Sequence, residues 1–484
     1  MASGTTDVAR ASVGLRSERG PILMSLMLST SLVALDSTII ATAVLTIVGD
    51  LGGFTQFPWL FSIYLLAQAV SVPIYGKLAD MFGRKPIMHL GIALFAVGSL
   101  LCGVAWSMPA LIVFRAIQGL GAGAVQPMSM TIAGDIYTVA ERAKVQAYIA
   151  SVWAMSAVLG PTLGGVFSEY LSWRWIFLVN LPLCAIAAWT LQRRFDETAR
   201  HGSGTGVRQR TDYAGAALLT TGATLVILGL LEGGQAWAWV SPAGIGVFVG
   251  GAALLVAFVL VERRAADPIL PLHMLTRRVM VASSLASLAV GAIVTGLTSY
   301  VPTFVQGALG TGALVAGFAL AVLSVGWPLA ASQAGRLYLR VGFRTTPLIG
   351  SVLVLAGSVL LTLLSSASAV WHVGAVSFVI GSGLGLIATP TLIAAQSSVD
   401  WNERGVVTST NMFARSIGSA IGVAVFGALV NSRIGNTAEP DRADLADAIH
   451  LVFLGILGVA VLLTLSSALM PKDPTPVDKA DRAA

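Results

Sequence analysis

Residues 76–85 read Gly-Lys-Leu-Ala-Asp-Met-Phe-Gly-Arg-Lys, and residues 335–344 read Gly-Arg-Leu-Tyr-Leu-Arg-Val-Gly-Phe-Arg. Both segments interrupt long apolar runs, and both fit the pattern G-x6-G-x-[KR], the second copy beginning 259 residues after the first. The glycine pairs 160/164 and 418/422 repeat at nearly the same offset. A single glycine pair of this kind is explained as well by close helix packing. The repeated loop segment predicts two halves of common design.

The chain around these repeats is too apolar for a water-soluble protein. Of its 484 residues, 56% are AVILMFWYC and 11% are charged, and the mean hydropathy is +0.82. This composition is enough for about 14 to 16 membrane-spanning helices. Two cysteines, both inside apolar runs, exclude a disulfide framework or a CxxC metal site. The sequence therefore predicts an all-α polytopic membrane protein.

Apolar runs of at least 18 residues predict fourteen transmembrane helices arranged 6+2+6. The expected helices lie near 21–48, 57–78, 86–106, 108–134, 144–168, 173–191, 213–231, 242–261, 279–305, 313–334, 346–365, 370–396, 405–430 and 448–470. The corresponding units are an N-terminal tail (1–20), a six-helix half (21–191), a loop (192–212), two inserted helices (213–261), a loop (262–278), a second six-helix half (279–470) and a tail (471–484).

The positive charges test this count independently of hydropathy. If the N-terminus is cytoplasmic, 24 of the 29 Lys and Arg residues fall on the cytoplasmic side. A miscounted helix would invert the bias of every later loop, so the positive-inside rule favours an even number of spans with both termini in the cytoplasm. The net charge of +6 is then explained by the membrane, and no nucleic-acid partner is implied.

One acid, Asp36, lies deep in a predicted span. An ionisable group at that depth costs several kcal/mol and is by default a functional hypothesis. Arg115, in the fourth predicted helix, is its natural partner. We expect Asp36 to exchange a proton or bind a cation; the alternative is a purely structural pair with an arginine.

Polar residues at helical spacing form stripes on four predicted helices, which favours an aqueous cavity between the halves. Soft apolar surface would be supplied by methionine and tryptophan side chains, for which packing is the alternative role. The candidate cavity residues are Tyr64, Gln68, Gln118, Gln126, Met128, Trp153, Thr295, Ser299, Gln306, Asn411 and Arg415.

Sequence signatures of nucleotide and hydrolase chemistry are missing from the chain. It contains no GxxxxGK[ST] loop, no HExxH, no GxSxG and no GxGxxG after a strand. We therefore expect no cofactor and no metal, and uphill transport would draw on an ion gradient. Inverted or parallel repeats of helices around a central site are typical of secondary transporters.

Five ordered motifs resemble the 14-helix drug/proton antiporters of the major facilitator superfamily. They are Leu35-Asp36-Ser-Thr38 in the first helix, the 76–85 loop, Arg115-Ala-Ile-Gln118-Gly119 in the fourth helix, Gly160-Pro161-Thr-Leu-Gly164 in the fifth, and Trp173-Arg174-Trp175 through Asn180-Leu-Pro182 at the sixth. The resemblance implies the major facilitator fold.

The resemblance also implies roles for individual residues. Asp36 would serve coupling and Arg115 proton transfer. The motif of Gly160, Pro161 and Gly164 marks exporters in that family, and the loop motif of Gly76, Asp80, Gly83 and Arg84 is associated with stabilising the outward-facing state.

The function implied is proton-coupled export of amphipathic, cationic drugs or toxic compounds across the cytoplasmic (inner) membrane. The expected partners are the lipid bilayer, a small amphipathic substrate and protons, with the proton gradient as energy source and the protein a monomer. Two alternatives stay open. One is a dedicated exporter of an endogenous lipid, siderophore or secondary metabolite, and the other is a membrane-embedded enzyme.

Overall fold

The computed structural model describes residues 13–52, 59–195, 197, 212–234, 237–265, 276–311, 313–434 and 442–472, and helix is the regular structure throughout these ranges. The α-helices are α1 (Gly20–Leu51), α2 (Trp59–Phe82), α3 (Arg84–Gly103), α4 (Met108–Ile136), α5 (Val139–Val166), α6 (Trp175–Leu178), α7 (Asn180–Arg194), α8 (Tyr213–Glu232), α9 (Pro242–Glu262), α10 (Arg278–Thr303), α11 (Ala313–Thr362), α12 (Val370–Ser397), α13 (Arg404–Ile434) and α14 (Arg442–Leu469).

Short polar side chains fix where several of these helices begin. The hydroxyl of Ser107 accepts from the backbone N–H of Ala110 at the start of α4. Asp212 does the same for Gly215 at α8, at 2.8 Å. Such caps satisfy backbone donors that have no intrahelical partner, which matters most where little water reaches the helix end.

Twelve stretches of the described chain are long and apolar enough to cross a membrane. One of them, Val315–Thr362 in α11, has 48 residues, more than twice the ~20 that a span needs. Its backbone leaves helical geometry at Gly342, where φ is +91°. Ala214–Leu230 in α8 is apolar but shorter, with no more than 17 residues. Dividing α11 at its bend would add one span to the twelve, and counting the shorter α8 would add another. These two segments account for the difference from the fourteen expected spans.

Each half of the chain packs around its own core. Leu26, Phe95 and Tyr137 belong to a buried cluster formed by the first helices, and Phe304 and Phe453 to one formed by α10–α14. The α8–α9 pair lies between these halves in sequence. Ile227 of α8 belongs to one buried cluster with Leu66 of α2 and Ala420 of α13, so α8 packs against both halves.

The two ends of the bundle differ in how they are held. At one end, named here the Asp50 end, the Trp173 indole and the Arg174 guanidinium bond the Asp50 carboxylate at 2.9 and 2.8 Å. These two donors hold the pKa of Asp50 below its ordinary value. The opposite end, named the Arg84 end, holds Arg84 and Arg404. Within the described residues, the hydrogen bonds that join the two halves all lie at the Arg84 end.

Candidate functional site

Asp36 and Arg115 form an ion pair inside the first half. The Asp36 Oδ2 atom lies 2.6 Å from Arg115 Nη1, and Asp36 and Arg115 are 0% and 1% exposed. Gln118, one turn along α4 from Arg115, donates to the other carboxylate oxygen at 2.8 Å. Both oxygens of the acid are thus bonded while no part of it reaches solvent.

The Arg115 side chain is held by four different groups. Its Nε donates to the carbonyl of Leu60 at 3.1 Å, and Nη1 donates to Gln118 Oε1 at 2.7 Å as well as to Asp36. The guanidinium carbon lies 4.2 Å from the centre of the Tyr64 ring, a cation–π contact. Tyr64 therefore packs on the charged pair rather than on an open cavity.

Two further polar residues that were not among the predicted coupling or cavity residues complete this network, although Asn180 belongs to the fifth of the quoted motifs. Ser99 of α3 accepts from Gln118 Nε2 at 2.8 Å, and Asn180 Nδ2 lies 3.4 Å from Asp36 Oδ1. Asn180 is the first residue of α7, and its buried amide faces the Asp36 carboxylate. The Asn180 Oδ1 atom is buried without a hydrogen-bond partner, which leaves an acceptor beside the acid.

The remaining candidates of the first half separate into core and half-buried positions. Met128 is 0% exposed and lies in the core of that half, because α4 turns this face toward its neighbours and not toward the gap between halves. Gln118 is likewise buried, in the Asp36 network. Gln68 of α2 donates to Gln126 of α4 at 3.1 Å, and both are half-buried. Trp153 is half-buried and packs against the same core as Met128.

In the second half, the candidates lie on α10, the turn after it, and α13. Asn411 is buried and its amide oxygen accepts from Ser287 at 2.9 Å, so it holds α10 against α13. Thr295 is half-buried, whereas Ser299 and Gln306 are exposed. The described hydrogen bonds join none of these candidates to another, although their spacing alone predicts a shared polar surface.

Arg415 stands apart from the other deep charges. It is half-buried, and its guanidinium carbon lies 5.3 Å from the centre of the Trp327 ring on α11. Within the described residues the structure gives it no carboxylate partner. A half-buried cation of this kind faces the space between α11 and α13 with its charge uncompensated.

The loop motif joins the halves at the Arg84 end. Arg84 is 0% exposed and pairs with Asp80 at 2.7 Å and with Asp135 of α4 at 3.1 Å. The Asp80 carboxylate accepts from the backbone N–H groups of Gly405 and Val406, at 3.1 and 2.9 Å. An acid from α2 thus caps the first turn of α13, where the helix dipole favours negative charge.

Residues of the second half complete this network, and no sequence signal marks them. Arg404 reaches Asp135 at 3.2 Å, and the Trp401 carbonyl accepts from Arg84 Nη2 at 2.7 Å. The Trp401 ring also lies 3.9 Å from the Arg84 guanidinium. On the side of the first half, Glu197 accepts from the backbone N–H of Arg84, at 2.6 Å.

The motif glycines allow close approach between helices. A Cβ placed on Gly76 would overlap Ser409 and lie 2.9 Å from the Gly405 carbonyl of α13. Gly83 has φ +97°, a left-handed conformation that favours glycine. In α5, a Cβ on Gly160 would overlap the Thr38 hydroxyl of α1. Pro161 and the buried Gly164 follow in the same helix.

The described residues contain no group of three His, Cys, Asp or Glu side chains placed to hold a metal ion. They bring together the buried Asp36–Arg115 pair in one half. At the Arg84 end they also form a polar network between the halves, named here the closure, from Asp80, Arg84, Asp135 and Arg404. The pair can exchange one proton if the surrounding helices separate, and the closure can break if the halves rock.

Comparison with known proteins gives consistent matches along the chain. The family model of the Major Facilitator Superfamily matches residues 26–423. The multidrug transporter protein MdtP of Bacillus subtilis is 34% identical over 428 residues, 87% of this chain and 77% of that protein. Multidrug resistance protein 3 of the same organism is 35% identical over 408 residues, covering 84% and 78%. The efflux pump dotC of Dothistroma septosporum is 32% identical over 85% of this chain and 71% of its own.

A solved structure has the same fold. The human organic anion transporter MFSD10 (TETRAN) superposes with a TM-score of 0.63 over 93% of this chain and 99% of that one. The two sequences are 15% identical, so the likeness concerns the fold alone.

Proposed function

This chain belongs to the major facilitator superfamily and is a multi-span membrane transporter rather than an enzyme, and on that premise we propose that it exports amphipathic compounds, organic cations among them, in exchange for protons. Relatives whose names denote multidrug transport and efflux support the export of such compounds. The occluded Asp36–Arg115 pair carries the proposal of proton coupling.

The proposed topology has fourteen spans in the order six, two, six, with both termini in the cytoplasm. The proposed location is the cytoplasmic (inner) membrane. The bend at Gly342 supports dividing α11 into two spans, and the apolar α8 supplies the other additional one. The excess of Lys and Arg on one side then assigns the Arg84 end to the cytoplasm.

Alternating access is supported by the one-sided closure of the bundle. The polar contacts between halves lie at the Arg84 end, and Asp80 capping α13 is the contact that a rocking motion would break. The described conformation is then closed toward the cytoplasm. An exporter in this state would receive a proton from outside and would have released its cargo.

Protonation of Asp36 would change the energy of the pair in a defined way. A neutral Asp36 no longer compensates Arg115, and a buried cation without its partner costs several kcal/mol. Arg115 would therefore move toward other acceptors or toward water. Because α4 carries both Arg115 and Asp135, such a movement would reach the closure at the Arg84 end along one helix.

The deciding experiment compares two acids of the same helix. We expect Asp36→Asn to abolish ethidium transport driven by a pH gradient in proteoliposomes, because the variant has no carboxylate to protonate. Asp50→Asn is the matched control, since Asp50 is exposed at the Asp50 end and its exposed ion pair contributes little.

Ethidium efflux should persist in Asp50→Asn at a rate close to that of the unchanged protein. Full gradient-driven transport by Asp36→Asn, with folding verified by gel filtration and thermal unfolding, would refute the coupling role of the acid. A panel with lipids and siderophores beside ethidium would separate a broad exporter from a dedicated one.

A further inference from the structure

A cavity of about 870 Å³ lies at the Arg84 end, at the meeting of the two halves. Val139 and Arg142 of α5 form one wall, and the bend of α11 around Gly342 forms another. The end of α12, at Ser397, and the start of α13, at Arg404, complete it. The cavity is separate from the Asp36 network, and one of its lining residues, Arg404, also belongs to the contacts that close the Arg84 end.

The lining of this cavity carries charge of one sign. Among its described lining residues five are cationic and none is acidic. The cations are Arg142, Arg340, Arg344, Arg404 and Lys472. Like charges gathered around one space repel one another, and the repulsion is relieved when an anion enters.

The contacts of the two most enclosed arginines leave binding capacity for an anion. Arg142 is buried and donates only to neutral acceptors in the described contacts: the Tyr137 carbonyl at 3.0 Å, the Gly134 carbonyl at 2.5 Å and the Ser397 hydroxyl at 3.3 Å. Arg404 shares Asp135 with Arg84, and its Nε atom is buried without a hydrogen-bond partner.

The backbone of α11 places two more guanidinium groups beside these. Gly342, at φ +91°, turns the chain between Arg340 and Arg344, so both flank the cavity at the bend. Arg340 is exposed and Arg344 half-buried, and neither has an ion-pair partner in the described contacts. Forked guanidinium donors arranged around a space match the oxygens of a phosphate group.

We propose that this cavity binds a phosphate group with net negative charge, supplied by the headgroup of an anionic phospholipid or by a soluble phosphate compound. A lipid source fits the proposed topology, which places the Arg84 end at the cytoplasmic leaflet, where basic pockets between helices bind anionic headgroups. Because Arg142 belongs to one half and Arg344 to the other, a bound phosphate would join them and favour the conformation closed at this end. That consequence rests on the proposed function, whereas the binding itself does not.

The test compares two pairs of arginines. Arg340→Gln/Arg344→Gln removes two cavity charges without touching the contacts that close the Arg84 end. Arg263→Gln/Arg264→Gln removes two exposed charges after α9, on the same side in the proposed topology and outside the cavity. Each protein, purified in neutral detergent, is titrated with short-chain phosphatidylglycerol, short-chain phosphatidylcholine and inorganic pyrophosphate. Native mass spectrometry counts the bound molecules.

We expect the unchanged protein to bind phosphatidylglycerol at least tenfold more tightly than phosphatidylcholine, and Arg340→Gln/Arg344→Gln to lose about tenfold of that affinity. The Arg263→Gln/Arg264→Gln control should stay within about twofold, as expected of isolated exposed charges. Arg340→Lys/Arg344→Lys keeps the charge and should retain part of the affinity, and the unfolding temperature without ligand verifies folding.

The three ligands distinguish the sources of the phosphate. Tight pyrophosphate binding without a preference for phosphatidylglycerol supports the site and assigns it to a soluble compound. Equal losses in both arginine pairs, or binding of every ligand unaffected by Arg340→Gln/Arg344→Gln, overturns the proposal. Since these titrations need no pH gradient, a failure of ethidium transport leaves their outcome unchanged.

Discussion

Asp36 and Arg115 form a pair that is costly to create and more costly to break. Withdrawing two ions from water costs several kcal/mol each, and the close 2.6 Å contact with its supporting bonds offsets that cost. Removing one partner alone typically costs about 3–5 kcal/mol, because the other charge stays buried and unpaired. A pair this costly favours a functional role over a purely structural one, and the coupling proposal rests on that argument.

Of this network the sequence predicted Asp36, Arg115 and Gln118 as site residues, whereas Ser99 was not predicted and Asn180 appeared only as part of a motif. Asp36 and Arg115 were identifiable because ionisable residues are rare in apolar helices. Ser99 and Asn180 carry no such signal, since neutral polar residues are common in membrane helices. Met128, predicted either as apolar cavity surface or as a packing residue, lies in the core of the first half, because helical periodicity does not tell which neighbouring helix covers a face.

Arg415 leads to a prediction about cargo charge. Its uncompensated cation beside Trp327 raises the electrostatic potential of the space that it faces. Arg415→Gln should therefore increase the export of ethidium relative to uncharged N-phenyl-1-naphthylamine, by about threefold to tenfold for charges some 10 Å apart. The ratio of the two rates in proteoliposomes is the measurement. Arg415→Lys, which keeps the charge, should leave the ratio near its original value, and a fall in the ratio for Arg415→Gln would contradict the prediction.

At the scale of helices, hydropathy predicted where membrane-spanning stretches lie, whereas interruptions inside them depend on single residues such as proline and glycine. The predicted span 108–134 is observed as Met108–Ile136, because a long apolar run has no alternative to a helix in lipid. The predicted span 173–191 is observed as one apolar stretch, Trp175–Arg194, in which the helix is interrupted at Val179. Pro182 follows three residues later and has no backbone N–H to donate to the Leu178 carbonyl, so the sequence does carry a signal for this interruption.

The contact between α1 and α5 gives a prediction for Gly160. A Cβ there would overlap Thr38, whose hydroxyl donates to the Ser156 carbonyl at 2.9 Å. Gly160→Ala should lower stability by about 1–3 kcal/mol, the usual cost of overpacking. Its transport rate should fall as α1, which carries Asp36, is displaced.

The matched control for Gly160 lies five residues further along the same helix. A methyl group on the Cα of Gly165 would meet no atom within 4 Å, so Gly165→Ala should be neutral or should stabilise the helix by about 0.5–1 kcal/mol. Thermal unfolding in detergent and ethidium transport are measured for both variants. Equal behaviour of the two alanine variants would show that the α1–α5 contact has no special role.

At the scale of the whole molecule, the closure of the Arg84 end joins residues that are far apart in sequence. Asp135 meets Arg404, 269 residues later, and Asp80 meets Val406, 326 residues later. The loop motif in the first half could be predicted from its repeat in the sequence. Its partners could not, because no sequence feature distinguishes Arg404 or Trp401 from ordinary charged and aromatic residues near a membrane surface. Tertiary packing of the two halves creates the site.

The closure can be tested through its effect on access. Asp80→Asn loses the charge that bonds two backbone N–H groups of α13, and charge-assisted bonds of this kind contribute about 1.5–3 kcal/mol. We expect the Arg84 end to open more often, by about tenfold or more. The reporter is Ser409→Cys, at a position that is buried beneath Gly76, labelled with a membrane-impermeant maleimide.

The background of this labelling assay is low because both native cysteines, Cys102 and Cys184, are buried. Asp50→Asn, at the opposite end, serves as the control and should leave the labelling rate of Ser409→Cys unchanged. An Asp80→Asn protein that labels no faster than the control would show that other contacts hold the halves together.

The neutrality of the Asp36–Arg115 pair has an electrical consequence. With one deep acid as the proton carrier, each cycle would move one proton inward. Export of a monovalent cation in the same cycle would then transfer no net charge, so the membrane voltage would contribute nothing to it. Export of an uncharged compound would transfer one charge, worth about 2.3 kcal/mol per 100 mV, and would run on voltage as well as on the pH difference. The same buried pair would thus divide cargo into molecules that sense the membrane potential and molecules that do not.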